Sequence, residues 1–375
     1  MTQLLKKKIH PHPCTLCEKC PEDNSKEHII LNALGGRKKI KGFLCNSCNN
    51  KTGSNWDSFL AESLKDLSLY FCITREKGTD KLYKDFKTTN GKEVLLRGDG
   101  SFAMPTKHNP LSLDQSTGEF SIEARDKKDA KQVLQNLKKK YPKLDIESCL
   151  HNIVHAKTPF QENIIFSIEN FGCEKAGRSL VKSALGLVFD AGICPTVCEK
   201  AIKYLKSEDD NTEICWNYYY EKDLLINRPT NEIFHHVAVQ GVPATGQLLG
   251  YIEFYSTIRI VVCLSNMYQG EEFHNSYSIN PITSEKLDIK TDINFSREEI
   301  ERKIFNTDNL EKIYMGLEEA LKTALSIGWI NNTTKEIINR FKSLNANRKA
   351  EEYFTIDDAE KISDLAIEVL FGECN

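Results

Sequence analysis

The chain has 375 residues, with 50 Lys and Arg against 53 Asp and Glu for a formal charge of −3, and thirteen cysteines. That length excludes a single small module and suffices for two or three domains, each with its own core. The balance hides an asymmetry: residues 1–56 carry ten basic and four acidic side chains and are +6, whereas the remaining 319 residues are −9, a pattern that fits a basic module touching a polyanion or a merely solvated lysine surface.

Met1–Pro13 starts basic and has no apolar core, unlike a secretory signal, and no apolar run approaches the roughly 20 residues that cross a bilayer. A soluble, cytoplasmic protein with reduced thiols is expected, and paired cysteines then read as metal ligands rather than bridges. Two CxxC pairs, Cys14/Cys17 and Cys45/Cys48, have the spacing of a structural four-cysteine zinc knuckle. Cys20 extends the first pair to CxxCxxC and reads as a spare thiol. Between the pairs, Glu27–Leu31 has the apolar character of a strand, Gly35-Gly36 permits a turn, and Gly42–Leu44 returns antiparallel to bring Cys45 beside Cys14. From Asn49 the apolar residues Trp56, Phe59, Leu60, Leu64 and Leu67 recur at helical spacing. The result is a ββα unit over residues 1–70, with too few large apolar side chains to fold well without metal. Asn49 stands where either a helix N-cap or a ligand would be placed, and Asn49, Gly53 and Asp57 share one face if the helix runs unbroken.

Residues 71–295 read as an α+β domain of recognition or sensing type. Strands are expected at Gly91–Pro105, Gly118–Ala124, Asn163–Glu169, Ile233–Val239, Gln247–Tyr255 and Ile258–Leu264, with helices at Asp126–Tyr141, Glu174–Asp190 and Pro195–Leu205. Alternation in Phe234, His236, Ala238 and in Tyr251, Glu253, Tyr255 is that of half-exposed strands packing a core. His151/His155 and His235-His236 lack a partnering acid motif and read as packing or surface histidines, and Cys194/Cys198 is a weak second metal pair. Residues 296–375 open with a Ser296-x-x-Glu299 capping box and are mostly helical, including Asn309–Ile327 and Ile356–Phe371; they close the second domain or mediate self-association. No phosphate-binding GxxxxGK loop is present, which excludes a P-loop motor or kinase. The fold class expected is α+β.

The stretch Glu27-His28-Ile29-Ile30, then Leu34-Gly35-Gly36, Leu44-Cys45-x-x-Cys48-Asn49, Gly53 and Asp57 resembles the zinc-knuckle branch of HNH (ββα-metal) endonucleases over about the first 65 residues. The resemblance implies His28 as the general base, Glu27 as a ligand of a divalent ion, and Asn49 at the helix position where many relatives carry histidine. Asn49 and Glu27 would suit Mg²⁺ or Mn²⁺, with Asp57 a further ligand or outer partner. Lys38, Lys39, Lys41 and Lys51 would hold phosphates without reading sequence. Two departures stand out. Lys39-Ile40-Lys41-Gly42 occupies the region of the family's central asparagine, and Asn49 replaces the final histidine.

The resulting expectation is a metal-dependent endonuclease hydrolysing DNA, in a setting such as restriction or defence against foreign DNA. One alternative is a catalytically inactive zinc knuckle that binds nucleic acid through its lysines. The other is a ligand-gated effector whose second domain is the sensor, with an activating ligand or protein partner and homo-oligomerisation as further options.

Overall fold

The computed structural model describes residues 13–19, 25–73, 75–76, 84–88, 90–91, 93–96, 102–103, 111–113, 120–122, 124, 127–153, 174–207, 214–219, 222–304, 310–346 and 354–371. In chain order they form β1 (Lys26–His28), a 3-10 turn Asn32–Leu34, β2 (Lys39–Lys41), α1 (Asn46–Thr52), a π-helical turn Gly53–Asp57, α2 (Ser58–Ser63) and α3 (Lys65–Tyr70). There follow β3 (Lys84–Lys87), β4 (Glu93–Leu96), β5 (Phe102–Ala103), β6 (Leu111–Leu113), β7 (Phe120–Ile122), α4 (Lys127–Lys140), α5 (Ile146–His151), α6 (Glu174–Asp190) and α7 (Glu199–Lys206). The chain continues through β8 (Cys215–Asn217), β9 (His235–Val242), β10 (Gln247–Phe254), β11 (Ile258–Ser265), β12 (Phe273–Ile279), β13 (Lys286–Leu287), α8 (Arg297–Ile304), α9 (Leu310–Leu344) and α10 (Ile356–Phe371). The class is α+β, with a helical C-terminal part. Among the described residues no helix is long and apolar enough to cross a membrane.

By contact in space the chain divides into two units: Met1–Thr79 with Ile168–Trp329, and Asp80–Ser167 with Ile330–Asn375. The sequence reading cuts the chain serially near residues 70 and 295. The difference arises because an amphipathic face shows that a segment needs a partner without showing which one. In the second unit β3, β4 and β5 form one antiparallel sheet and β6 and β7 another. Ala130 and Leu134 of α4 pack there with Leu150 of α5. The expected strand Asn163–Glu169 lies outside the described residues.

In the first unit a six-stranded antiparallel sheet runs β13-β12-β9-β10-β11-β8. Its central strands are not half-exposed as their alternation suggested, because both faces are covered. Leu248, Ile252 and Phe254 of β10 join a core with α6 and the N-terminal module, whereas Leu249 and Tyr251 join Trp216, Tyr218, Ile293 and Phe295 on the other face. Neighbouring side chains on a strand point to opposite sides, so the same alternation serves two apolar layers as readily as one apolar and one wet layer.

Helix α6 lies between the sheet and the module. Every residue from Ser179 to Val188 is buried, as befits a helix enclosed on all sides rather than on one stripe. Ala184 sits against Gly250 of β10, where a Cβ would come within 3.1 Å of the alanine methyl, and Gly186 lets Ile40 and Ile29 of the module approach its backbone.

The module itself is a short hairpin followed by a broken helix. Glu27 pairs with Ile40 and His28 with Lys39; each strand is three residues, so the first is shorter than the expected Glu27–Leu31 and begins one residue earlier, and the second lies just before the expected Gly42–Leu44. Ile29, Ile30, Leu31 and Leu34 of the connection are buried. Gly36 is required there, because a Cβ at that position would lie 1.8 Å from the Ile30 carbonyl oxygen. The helix opens at Asn46 with the Cys45 Sγ accepting from the Cys48 N–H, so Cys45, not Asn49, is the N-cap. It widens into the π turn at Gly53–Asp57 instead of running unbroken. Gly36→Ala is expected to lower unfolding stability by at least about 2 kcal/mol, read as a drop in the urea midpoint at unchanged m-value; an unchanged midpoint would mean the connection relaxes freely.

Candidate functional site

The four cysteine sulfurs Cys14, Cys17, Cys45 and Cys48 all lie within 4.8 Å of one another, and none is in a disulfide. The Cys17 and Cys45 sulfurs are 3.8 Å apart, which equals the edge of about 3.8 Å in a tetrahedron with zinc–sulfur bonds of about 2.3 Å. The electrostatics fit the same group. The Cys17 thiol is drawn down to about 6, first by a hydrogen bond from the Lys19 backbone and then by the neighbouring thiols, while burial and those neighbours push Cys48 up. Four sulfurs gathered this closely are a set that a dication would deprotonate together. These residues therefore fit a structural zinc ion tying the Cys14–Cys17 loop to the start of α1.

Adjacent positions on β1 face opposite sides of the hairpin, which separates Glu27 from His28. His28 is partly exposed and faces its cross-strand partner Lys39 and Glu76. The His28 Nε2 is buried without a hydrogen-bond partner among the described residues; a Glu76 carboxylate oxygen lies 3.8 Å away. Lys39 pairs with the same Glu76 oxygen, and the Glu76 backbone N–H donates to Asn32 Oδ1 at 3.0 Å. Burial, followed by the Lys39 charge, lowers the His28 pKa below its ordinary value, with Glu76 opposing. Burial and the Lys39 charge thus favour the neutral imidazole. Glu76 was not singled out from sequence, since it lies 48 positions beyond His28 in no motif.

Glu27 points the other way, into the unit. Lys182 of α6, 1 % exposed, donates from Nζ to Glu27 Oε1 at 2.6 Å and to Asp57 Oδ2 at 2.5 Å. Ser179, one turn earlier on α6, donates its hydroxyl to the other Asp57 oxygen at 2.6 Å. Burial raises the Glu27 carboxyl above the usual range, with the Lys182 charge opposing. The structure brings Glu27 and Asp57 together, but around an ammonium. Together with Lys182 they do not fit a divalent ion, because the cation would need the position that Nζ occupies. Breaking such a buried set by removing one partner costs about 3–5 kcal/mol. A signal for Lys182 was present in the sequence: it is a lone charge inside Leu180-Val181-Lys182-Ser183-Ala184-Leu185, a run otherwise suited to burial.

The remaining expected residues scatter. The Asn49 amide donates to Ser25 Oγ at 2.8 Å and to the Lys26 carbonyl at 3.2 Å, fastening α1 to the start of β1. Lys38 pairs with Asp190 at 2.5 Å and lies over the Tyr277 ring, and Lys39 pairs with Glu76. Lys41 and Lys51 are exposed. His235 is fully buried, its Nε2 against the Leu34 carbonyl at 2.8 Å and its Nδ1 accepting from the Tyr255 N–H at 3.0 Å, with burial pulling it down to about 3. His236 bonds Ser278 and Thr291 and is pulled down likewise, so this doublet is packing. Cys194 bonds the Thr196 hydroxyl and Cys198 is buried in the core. Among the described residues no other group of three or more His, Cys, Asp or Glu is gathered for a metal.

Residues 14–65 match the family model described as HNH endonuclease. The match begins at the first knuckle cysteine, contains all four, and ends beyond Asp57. No curated protein and no solved structure matches the chain. Two outcomes follow from the geometry. Cys45→Ser, or prolonged chelation, is expected to reduce zinc from one ion per chain to none by atomic absorption and to melt the module first in hydrogen exchange. His28 should titrate by NMR with a midpoint below 6.5, its ordinary value. Because the unfolded chain then takes up that proton before the folded chain does, this group destabilises the fold as pH drops below 6.5 and is neutral in effect above it.

Proposed function

We propose that residues 14–65, completed by α6, are an endonuclease module that hydrolyses phosphodiester bonds in nucleic acid, with DNA as the substrate. The observation carrying this reading is His28: a half-buried imidazole on β1 of the matched module, with Nε2 turned toward Glu76 and its basicity lowered by burial and the Lys39 charge, which favours the neutral ring. A buried ring nitrogen facing a carboxylate is the one that carries hydrogen in the neutral tautomer, which leaves Nδ1 to accept a proton from water. As that proton arrives, Glu76 faces the imidazolium and stabilises it, a partner for the base in a chain that has Lys39-Ile40-Lys41-Gly42 in the region of the family's central asparagine. Zinc at the four cysteines would supply cross-linking and no reacting group. Lys41 and Lys51 offer exposed ammonium groups to flanking phosphates, which supports weak, sequence-independent and salt-sensitive binding. Target selection or gating is then the work of the chain outside the module, and restriction of foreign DNA is the setting this division of labour suits.

The ammonium between Glu27 and Asp57 favours a second reading, in which the module binds nucleic acid without cutting it. One assay separates the two. Plasmid DNA and RNA are incubated with the full chain, with Mg²⁺, with Mn²⁺ and with neither, and the products resolved. Nicking or linearisation that falls at least about 100-fold in His28→Ala at equal zinc content is the expected result. Binding that persists with no cleavage by the unmodified chain under any condition would establish the second reading instead.

A further inference from the structure

We propose that the Lys182 ammonium is the resident cation of the Glu27/Asp57 pair, so that these two carboxylates hold no divalent ion and instead lock α6 to the hairpin and to the π turn. Three observations carry this. The nitrogen is within 2.6 Å of a Glu27 oxygen and 2.5 Å of an Asp57 oxygen. An oxygen-bound Mg²⁺ sits about 2.1 Å from its ligands, so an ion shared by the same two oxygens and the ammonium cannot be present together. Lys182 also has nowhere to withdraw. It is 1 % exposed in a helix whose residues from Ser179 to Val188 are all buried, and a lysine with no path to water cannot vacate the position by swinging out, as a surface lysine would. Finally, the second Asp57 oxygen is already committed to the Ser179 hydroxyl at 2.6 Å, so that α6 supplies two donors, one turn apart, to a single acid. A metal ligand set normally keeps its oxygens open toward the ion and is backed by donors from outside; here the donors occupy the centre.

The consequence is that α6, more than 100 residues away in sequence, contributes a positioning residue to the module. Lys182 holds the side of β1 opposite His28, and with it the strand on which the imidazole is mounted. The inference concerns the same site as the nuclease reading, but its readout is ion binding, so either can fail while the other stands.

The test uses the full zinc-loaded chain and Mn²⁺ or Mg²⁺ alone as probe. In protein labelled with ¹⁵N-lysine, Lys182 should give an ammonium signal slowed in hydrogen exchange by burial, assigned by its loss in Lys182→Met, and unchanged at millimolar Mg²⁺. In Lys182→Met the two acids lose their cation, and Mn²⁺ should then raise the melting temperature by about 3 °C or more, an effect absent from the unmodified chain and from Lys182→Met/Asp57→Asn. If Lys182→Met does not fold, the protected signal is assigned instead by its response to Glu27→Gln. The proposal is overturned if Mg²⁺ abolishes the protected lysine signal, or if the unmodified chain binds Mn²⁺ at a site that Glu27→Gln or Asp57→Asn weakens tenfold or more.

Discussion

One buried positive charge, Lys182, organises the first unit. It stands in the middle of a helix enclosed on every side, and desolvating an ammonium is tolerable only where anionic partners meet it at short range. Glu27 from the hairpin and Asp57 from the π turn are those partners. Because the three groups come from three different elements, satisfying one charge fixes the hairpin, the broken helix and α6 against one another. The surrounding apolar contacts are non-directional and would admit small slides; the ionic set would not.

The helix can occupy this position because of what its other residues lack. Gly186 and Ala184 allow the module on one side and the sheet on the other to come close, and the intervening Leu180, Val181, Leu185, Leu187 and Val188 fill the shared core. His235 adds a directional tie of its own, joining the Leu34 carbonyl of the module to the Tyr255 N–H of the sheet through the two nitrogens of one neutral ring. The module therefore owes its order to two different supports. The cysteine cluster gathers its loops locally, and the core beneath it is borrowed from residues far along the chain.

This arrangement divides the site by strand geometry. Neighbouring residues on β1 face opposite sides, so Glu27 becomes part of the buried framework while His28 stays beside Lys39 and Glu76 at the accessible side. Lysines read from composition as phosphate contacts divide likewise: Lys38 and Lys39 sit in ion pairs, and Lys41 and Lys51 remain exposed. A positive charge count says how much cation a segment holds, and only the fold says how much of it reaches a ligand.

What the sequence by itself determined is what local chemistry decides. The cysteine spacing placed the four-thiol cluster, the apolar periodicity located Leu60, Leu64 and Leu67 on a buried helical face, and α6 and α10 carry boundaries legible from their own residues. The placement of His28 on a short strand between the two cysteine pairs was legible for the same reason, through a short contiguous motif. Tertiary structure alone decided the partners. Glu27 and Asp57 read as metal ligands because two acids near a hairpin and a helix invite a cation, and no local pattern could say that the cation would be a lysine 155 positions from Glu27 and 125 from Asp57. The chain likewise could not announce that its half-exposed-looking strands would be covered twice, or that Glu76 would face His28. Hydrogen bonds and hydrophobic burial within a few residues are written in the spacing of the chain, whereas the neutralisation of a buried charge depends on which distant segments the core brings together.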